Sequence, residues 1–151
     1  MNKIIRTDSS NPAFISLVQL LDAELAERDG ADHSFYHQYN GIQLLQHVVV
    51  LFHEDIPIGC GAFKQIEADT VEVKRMYILP DHRSKGLATK VLTALEEWAK
   101  EEGFITAVLE TGKRQPEAIA LYQKNGYLII PNYGQYIGID NSVCFEKRLI
   151  P

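Results

Sequence analysis

Apolar residues at Leu87, Ala88, Val91, Leu92, Leu95, Trp98 and Ala99 recur at the 3.6-residue period of a helix. They predict one from about Ser84 to Glu102, with Gly103 as its C-cap. The same period at Phe14, Leu17, Val18, Leu21 and Leu25 predicts an earlier amphipathic helix, with Pro12 near its start and Ser9, Ser10 and Asn11 as candidate caps. A further helix covers Gln115 to Asn125 and is stopped by Gly126. Residues 31–41 are polar and aromatic, and read as a short helix with loops. Elsewhere the pattern is that of strands: Ile4–Arg6, Val48–Phe52, Ile56–Phe63, Thr70–Leu79, Ile105–Leu109, Tyr127–Ile130 and Ser142–Leu149. His53-Glu54-Asp55 and Asp69 supply turns among the early strands, and Pro131 to Asn141 forms a loop rich in Gly, Tyr and Asn. Antiparallel strands first, then strand–helix–strand–helix–strand, predict an α/β fold: a mixed sheet with helices on both faces.

A length of 151 residues with 46% hydrophobic content suits one compact domain over residues 1–151, with no repeat or linker to divide it. The formal charge of −5 argues against a nucleic-acid binder. No apolar run approaches the ~20 residues that span a bilayer. The opening Met1-Asn2-Lys3-Ile4-Ile5-Arg6 lacks the hydrophobic core of a secretory signal, so a cytoplasmic protein without a membrane partner is expected. Cys60 and Cys144 fall in separate strands and are expected to be reduced, buried thiols.

The run Arg83-Ser84-Lys85-Gly86-Leu87-Ala88 changes this picture, because it joins a strand to the start of a helix. Free N–H groups in a first helical turn, with the helix dipole behind them, hold phosphate. Gly86 lets the backbone approach, while Arg83 and Lys85 add charge. This run matches the phosphate loop Arg/Gln-x-x-Gly-x-Gly/Ala of the GNAT superfamily of acetyl-coenzyme A-dependent N-acetyltransferases. Gln115-Pro116-Glu117-Ala118-Ile119-Ala120-Leu121-Tyr122-Gln123-Lys124-Asn125-Gly126-Tyr127 is similar to a second motif of that family, on the following helix. The resemblance runs from about Val71 to Tyr127, and the ending Cys144-Phe145-Glu146-Lys147 looks like that of small bacterial members.

The resemblance implies a mostly antiparallel sheet of six to seven strands, with strands four and five splayed apart around the co-substrate acetyl-CoA. By position, backbone groups of Met76, Tyr77 and Ile78 would meet the pantetheine arm, and Arg83, Ser84, Lys85, Gly86, Leu87 and Ala88 the pyrophosphate. Gln115 stands where the family usually has a cofactor-contacting Asn, and adds a methylene. Tyr122 matches the general acid that protonates the departing thiolate. No metal is implied, and dimers common among such folds offer only an analogy for oligomeric state.

Acetyl transfer needs a neutral amine, and freeing the lone pair of one with pKa ~10.4 at pH 7 costs about 4–5 kcal/mol. A carboxylate can take that proton directly or through water. Glu72 and Glu110 are the candidates, both in otherwise apolar strands bordering the splay. Glu72, put first, corresponds to the base of the histone-acetylating branch and Glu110 to that of ribosomal-protein-acetylating relatives; the choice stays open. Carbonyl polarisation is expected from a backbone N–H of the fourth strand. Phe35, Tyr36, Tyr39, Tyr133 and Tyr136 fall where the family forms its acceptor pocket, for a small-molecule or peptide amine. His33 and His37 have helical i, i+4 spacing, but nothing completes a metal site beside them. His47 and His53 read as strand-edge residues, and Cys144, lacking an adjacent His, as a packed thiol rather than an acetyl carrier. The rival reading is a non-catalytic acyl-CoA-binding or regulatory module.

Overall fold

The computed structural model describes residues 1–29 and 44–150. Strand β1 (Asn2–Thr7) leads into helix α1 (Pro12–Asp29), then β2 (His47–His53), β3 (Ile56–Glu67) and β4 (Thr70–Ile78). Helix α2 (Leu87–Glu101), β5 (Thr106–Gly112), α3 (Pro116–Lys124), β6 (Leu128–Ile130) and β7 (Ser142–Arg148) follow. The seven strands lie in the order β1-β2-β3-β4-β5-β7-β6, antiparallel except for the β4–β5 pair. This is the mixed α/β sheet expected from the pattern.

Each helix has a local cause. Asn11 accepts a hydrogen bond from the Phe14 N–H at 3.1 Å, capping α1 just ahead of Pro12. Phe14, Leu17, Val18 and Leu21 then bury one face of α1 against Val48, Val50, Cys60, Ala62 and Tyr77. Val49 and Leu51 point the other way, into the core built by Val91, Leu92 and Leu95 of α2 and by Tyr122 of α3. Strand β2 is therefore apolar on both faces, as an interior strand must be. That position corrects the edge expectation for its histidines: His47 stacks on Phe63 at 4.5 Å, lies edge-on to Trp98 at 4.8 Å and meets Glu102 at 3.1 Å.

Two irregularities in β4 shape the site. Its parallel pairing with β5 covers only Thr70↔Thr106, Val71↔Ala107 and Glu72↔Val108, and then stops. Past that point β4 remains bound to β3, while β5 remains bound to β7, so a fork opens between them. Within the same stretch Cys60 pairs with Tyr77 and Ala62 with Lys74, which leaves Arg75 and Met76 together opposite Gly61. This is a β-bulge, with Arg75 in the left-handed region at φ 60°. A bulge bends and twists its strand, which turns β4 away from β5. It also breaks the in–out alternation: Arg75 reaches Asp22 on α1, whereas Met76 packs into the α2 core.

Gly61 makes the bulge sterically feasible. A Cβ there would lie 2.7 Å from Met76 Sδ, 2.8 Å from Leu95 Cδ1 and 2.9 Å from Val91 Cγ1. Gly61→Ala is expected to cost about 1–3 kcal/mol of stability by overpacking. At about 2–4 °C per kcal/mol for a chain of this size, a thermal melt will read a fall of several degrees. An unchanged melting temperature would show that α2 does not press on the bulge.

Candidate active site

The fork opens into a groove of about 530 Å³. One wall is β4, through Met76, Tyr77 and Ile78; its floor is the start of α2, through Arg83, Ser84, Gly86, Leu87 and Ala88. Gln115 and Tyr122 close the side toward α3. Ser84 and Gly86 both take left-handed backbone, at φ 65° and 77°, and no side chain caps the first turn of α2. Its N–H groups and dipole therefore face the groove, in the arrangement that holds anions. Lys85 is exposed beside this turn and does not line the groove.

Arg83 is already engaged. Its Nε donates to the Ile78 carbonyl at 2.8 Å, its Nη2 donates to Glu24 at 2.8 Å, and its guanidinium lies 5.4 Å from the Tyr77 ring. Glu24 in turn meets Arg28 at 3.8 Å, and Arg28 pairs with Glu117 at the start of α3. All four residues line the groove, so a chain of alternating charge straps α1 to both the α2 and α3 ends of the fork.

A second, smaller cavity of about 110 Å³ adjoins the groove. Leu21, Met76, Gln115, Ala118 and Tyr122 line both, and so form the wall between them. Lys74, Arg75, Glu110 and Tyr136 complete the smaller cavity. Tyr122 is 6% exposed, with its ring set against Tyr127 and Phe145, each at 5.8 Å. Burial first, and then the Glu110 charge, push its phenol well above the ordinary value of 10, so it stays protonated at neutral pH. Glu110 accepts a hydrogen bond from the Ser142 hydroxyl at 2.7 Å.

Glu72 sits differently. It is the last β4 residue paired with β5, at the closed end of the fork, and is 3% exposed. Tyr133 donates to it at 2.5 Å and Lys74 lies 3.8 Å away. It borders a third cavity, of about 360 Å³, lined by Tyr133 but not by Tyr122 or Glu110. The two described tyrosines of the expected acceptor set are thus divided, Tyr136 toward the small cavity and Tyr133 toward Glu72. Phe35, Tyr36, Tyr39, His33 and His37 lie outside the described residues.

Lys74, Arg75, Glu24 and Arg28 are lining residues that the sequence reading did not single out for the site. A signal existed for the first two: Lys74-Arg75 puts adjacent charges into a strand that otherwise alternates, a mark of a bulge. The α1 pair carried none, since charges on an amphipathic helix are ordinary. Among the described residues no three His, Cys, Asp or Glu side chains converge on a metal position, and no helix is long and apolar enough to cross a membrane.

A splayed parallel pair, an uncapped helix start at its mouth and a buried phenol across the gap define an acyltransferase of the acetyl-CoA type. The family model described as the Acetyltransferase (GNAT) family matches residues 14–127. YjgM of Escherichia coli K12, an uncharacterized N-acetyltransferase, is 34% identical over 95% of this chain and 90% of its own. A relative from Azospirillum brasilense named IAA acetyltransferase is 36% identical, the match spanning 61% of each chain. The crystal structure of a Klebsiella pneumoniae protein named as an acyl-CoA N-acyltransferase superposes with TM-score 0.83 at 32% identity, over 99% of both chains. The chain belongs to the GNAT acetyltransferase family.

Cys60 and Cys144 are both free and buried. Burial pushes the Cys60 thiol up to about 12 and the Cys144 thiol up to about 11, so neither is a thiolate at neutral pH. Native protein at pH 7 is expected to resist iodoacetamide and to take up two equivalents only on unfolding, by intact mass. Rapid native alkylation of Cys144 would reopen its role as an acetyl carrier.

Proposed function

We propose that the protein transfers an acetyl group from acetyl-CoA to a primary amine, by direct attack within a ternary complex. The observation that carries this is the shared wall: one groove suited to a diphosphate and one small polar cavity meet at Met76, Gln115 and Tyr122. The groove fits coenzyme A on three counts: the uncapped α2 start, the left-handed Ser84 and Gly86, and a β4 edge that has lost its β5 partner.

Each step then falls to a residue of this chain. Backbone N–H groups of β4 beyond Glu72, no longer committed to β5, pair with the pantetheine arm and polarise the thioester carbonyl. Glu110 accepts the amine proton, directly or through water, because it lines the cavity that Tyr122 also lines. Glu72 supports the site by holding Tyr133. Tyr122 gives its proton to the departing thiolate. Desolvation that raises the phenol raises a thiolate in the same enclosure as well, which keeps donor and acceptor matched. Arg83 exchanges Glu24 for phosphate as coenzyme A enters; both groups are partly exposed, so their pairing is weak enough to yield.

Four variants test these roles, the first three by thiol release from acetyl-CoA across an amine panel. Tyr122→Phe is expected to lose about 10²–10⁴-fold in kcat while binding coenzyme A normally, the range for a lost general acid. Glu110→Gln should lose as much, and Glu72→Gln far less; the reverse order would move the base to Glu72. Glu24→Gln should tighten coenzyme A about two- to fivefold by calorimetry, as expected for a partly exposed ion pair removed from competition. Coenzyme A binding with no turnover of any amine would favour a binding module.

A further inference from the structure

Resting on the acetyl-transfer reading, we propose that the amine acceptor also carries a carboxylate and is of free amino-acid size, its carboxylate seated on Arg75. The Arg75 side chain is 2% exposed. Its Nη1 donates to Asp22 at 2.8 Å, but its Nη2 is buried with no hydrogen-bond partner among the described residues. A buried charged donor without a partner is costly, and native proteins rarely keep one that nothing uses. The same residue holds left-handed backbone, which a non-glycine side chain adopts at an energetic cost. Arg75 lines the small cavity, so an acceptor seated there lies beside the residue that carries the unpaired donor.

The charges around that cavity point the same way. Among the described residues, Lys74 and Arg75 both line it, against the one carboxylate of Glu110; the partners Asp22 and Glu72 stand outside the lining. A polyamine would bring a second ammonium against this pair. An amino acid instead satisfies both ends: its carboxylate accepts from Arg75 Nη2, and its amine faces Glu110 on the side of Tyr122. Size agrees, because about 110 Å³ is below the 150 Å³ of a cavity that holds benzene.

The test compares the small neutral amino acids with amines lacking only the carboxylate, such as alanine with ethylamine and valine with isobutylamine. Binding is read by thermal shift with and without saturating coenzyme A, and turnover by thiol release. The preferred amino acid is expected to bind and react about ten- to a hundredfold better than its decarboxylated partner, the worth of a charge-assisted hydrogen bond. Arg75→Gln should abolish that preference and Arg75→Lys should restore part of it. If the glutamine variant fails to fold, the wild-type comparison decides alone. Equal or better use of the decarboxylated amines overturns the carboxylate seat and leaves acetyl transfer standing. Binding of amino acids without thiol release from acetyl-CoA overturns the acetyl-transfer reading and leaves the seat.

Discussion

Two residues of β4 facing one residue of β3 set the geometry on which everything else depends. The bulge at Arg75 and Met76 tilts β4 just past its last pairing with β5. A parallel sheet without it would continue closing hydrogen bonds, and the strands would leave no room for a ligand between them. The bulge needs Gly61 beneath it, since α2 packs so closely there that a methyl group would collide with Leu95 and Val91. It also reverses the side-chain alternation for the rest of the strand. Met76 is thereby given to the core, and Arg75 to the cavity.

Charge is distributed along the fork in two grades. At its depth the groups are buried or half-buried and matched: Arg75 with Asp22, Lys74 with Glu72, Glu72 with Tyr133, and Glu110 with Ser142. Breaking such pairs leaves an uncompensated charge in a medium of low polarity, so their geometry is held firmly. At the mouth the strap from Arg83 through Glu24 and Arg28 to Glu117 is partly solvated. Ion pairs of that kind are worth little net free energy and exchange partners readily. A phosphate-bearing ligand thus meets labile charge where it enters and fixed charge where chemistry would occur.

Legibility in the sequence followed how local each feature is. The basic turn was readable because strand, Gly-containing turn and helix are consecutive, and the structure puts Gly86 in the left-handed conformation at the start of α2. The three described α-helices and seven strands were readable from period alone, apart from their ends, while the short helix expected over residues 31–41 lies outside the described residues. The fork entered only through the family resemblance, since no single segment encodes which pairings stop. The order of the two carboxylates, with Glu72 put first, rested on no local signal. Glu72 and the Glu110 partner strand share a face, and what separates them is register: Glu72 pairs with Val108 at the crotch, while Glu110 lies two residues further out, in the opening. Arg75 was hidden for another reason. An arginine with positive φ is dictated by tertiary packing and not by any propensity of its neighbours.

The position of Tyr122 ties these features together. It lines both cavities because α3 starts immediately after the β5 arm of the fork and runs back across the gap. On the proposed reading, a thiol leaving on the groove side and an amine arriving on the other both pass this phenol. Its aromatic neighbours Tyr127 and Phe145 fix the ring, and its burial keeps the proton in place until a stronger base appears beside it. Cys144 has no comparable position: it is buried, its thiol is held protonated, and it lines neither the groove nor the small cavity. A double-displacement route would need that thiol exposed to the thioester, whereas direct attack needs only the wall the two cavities already share.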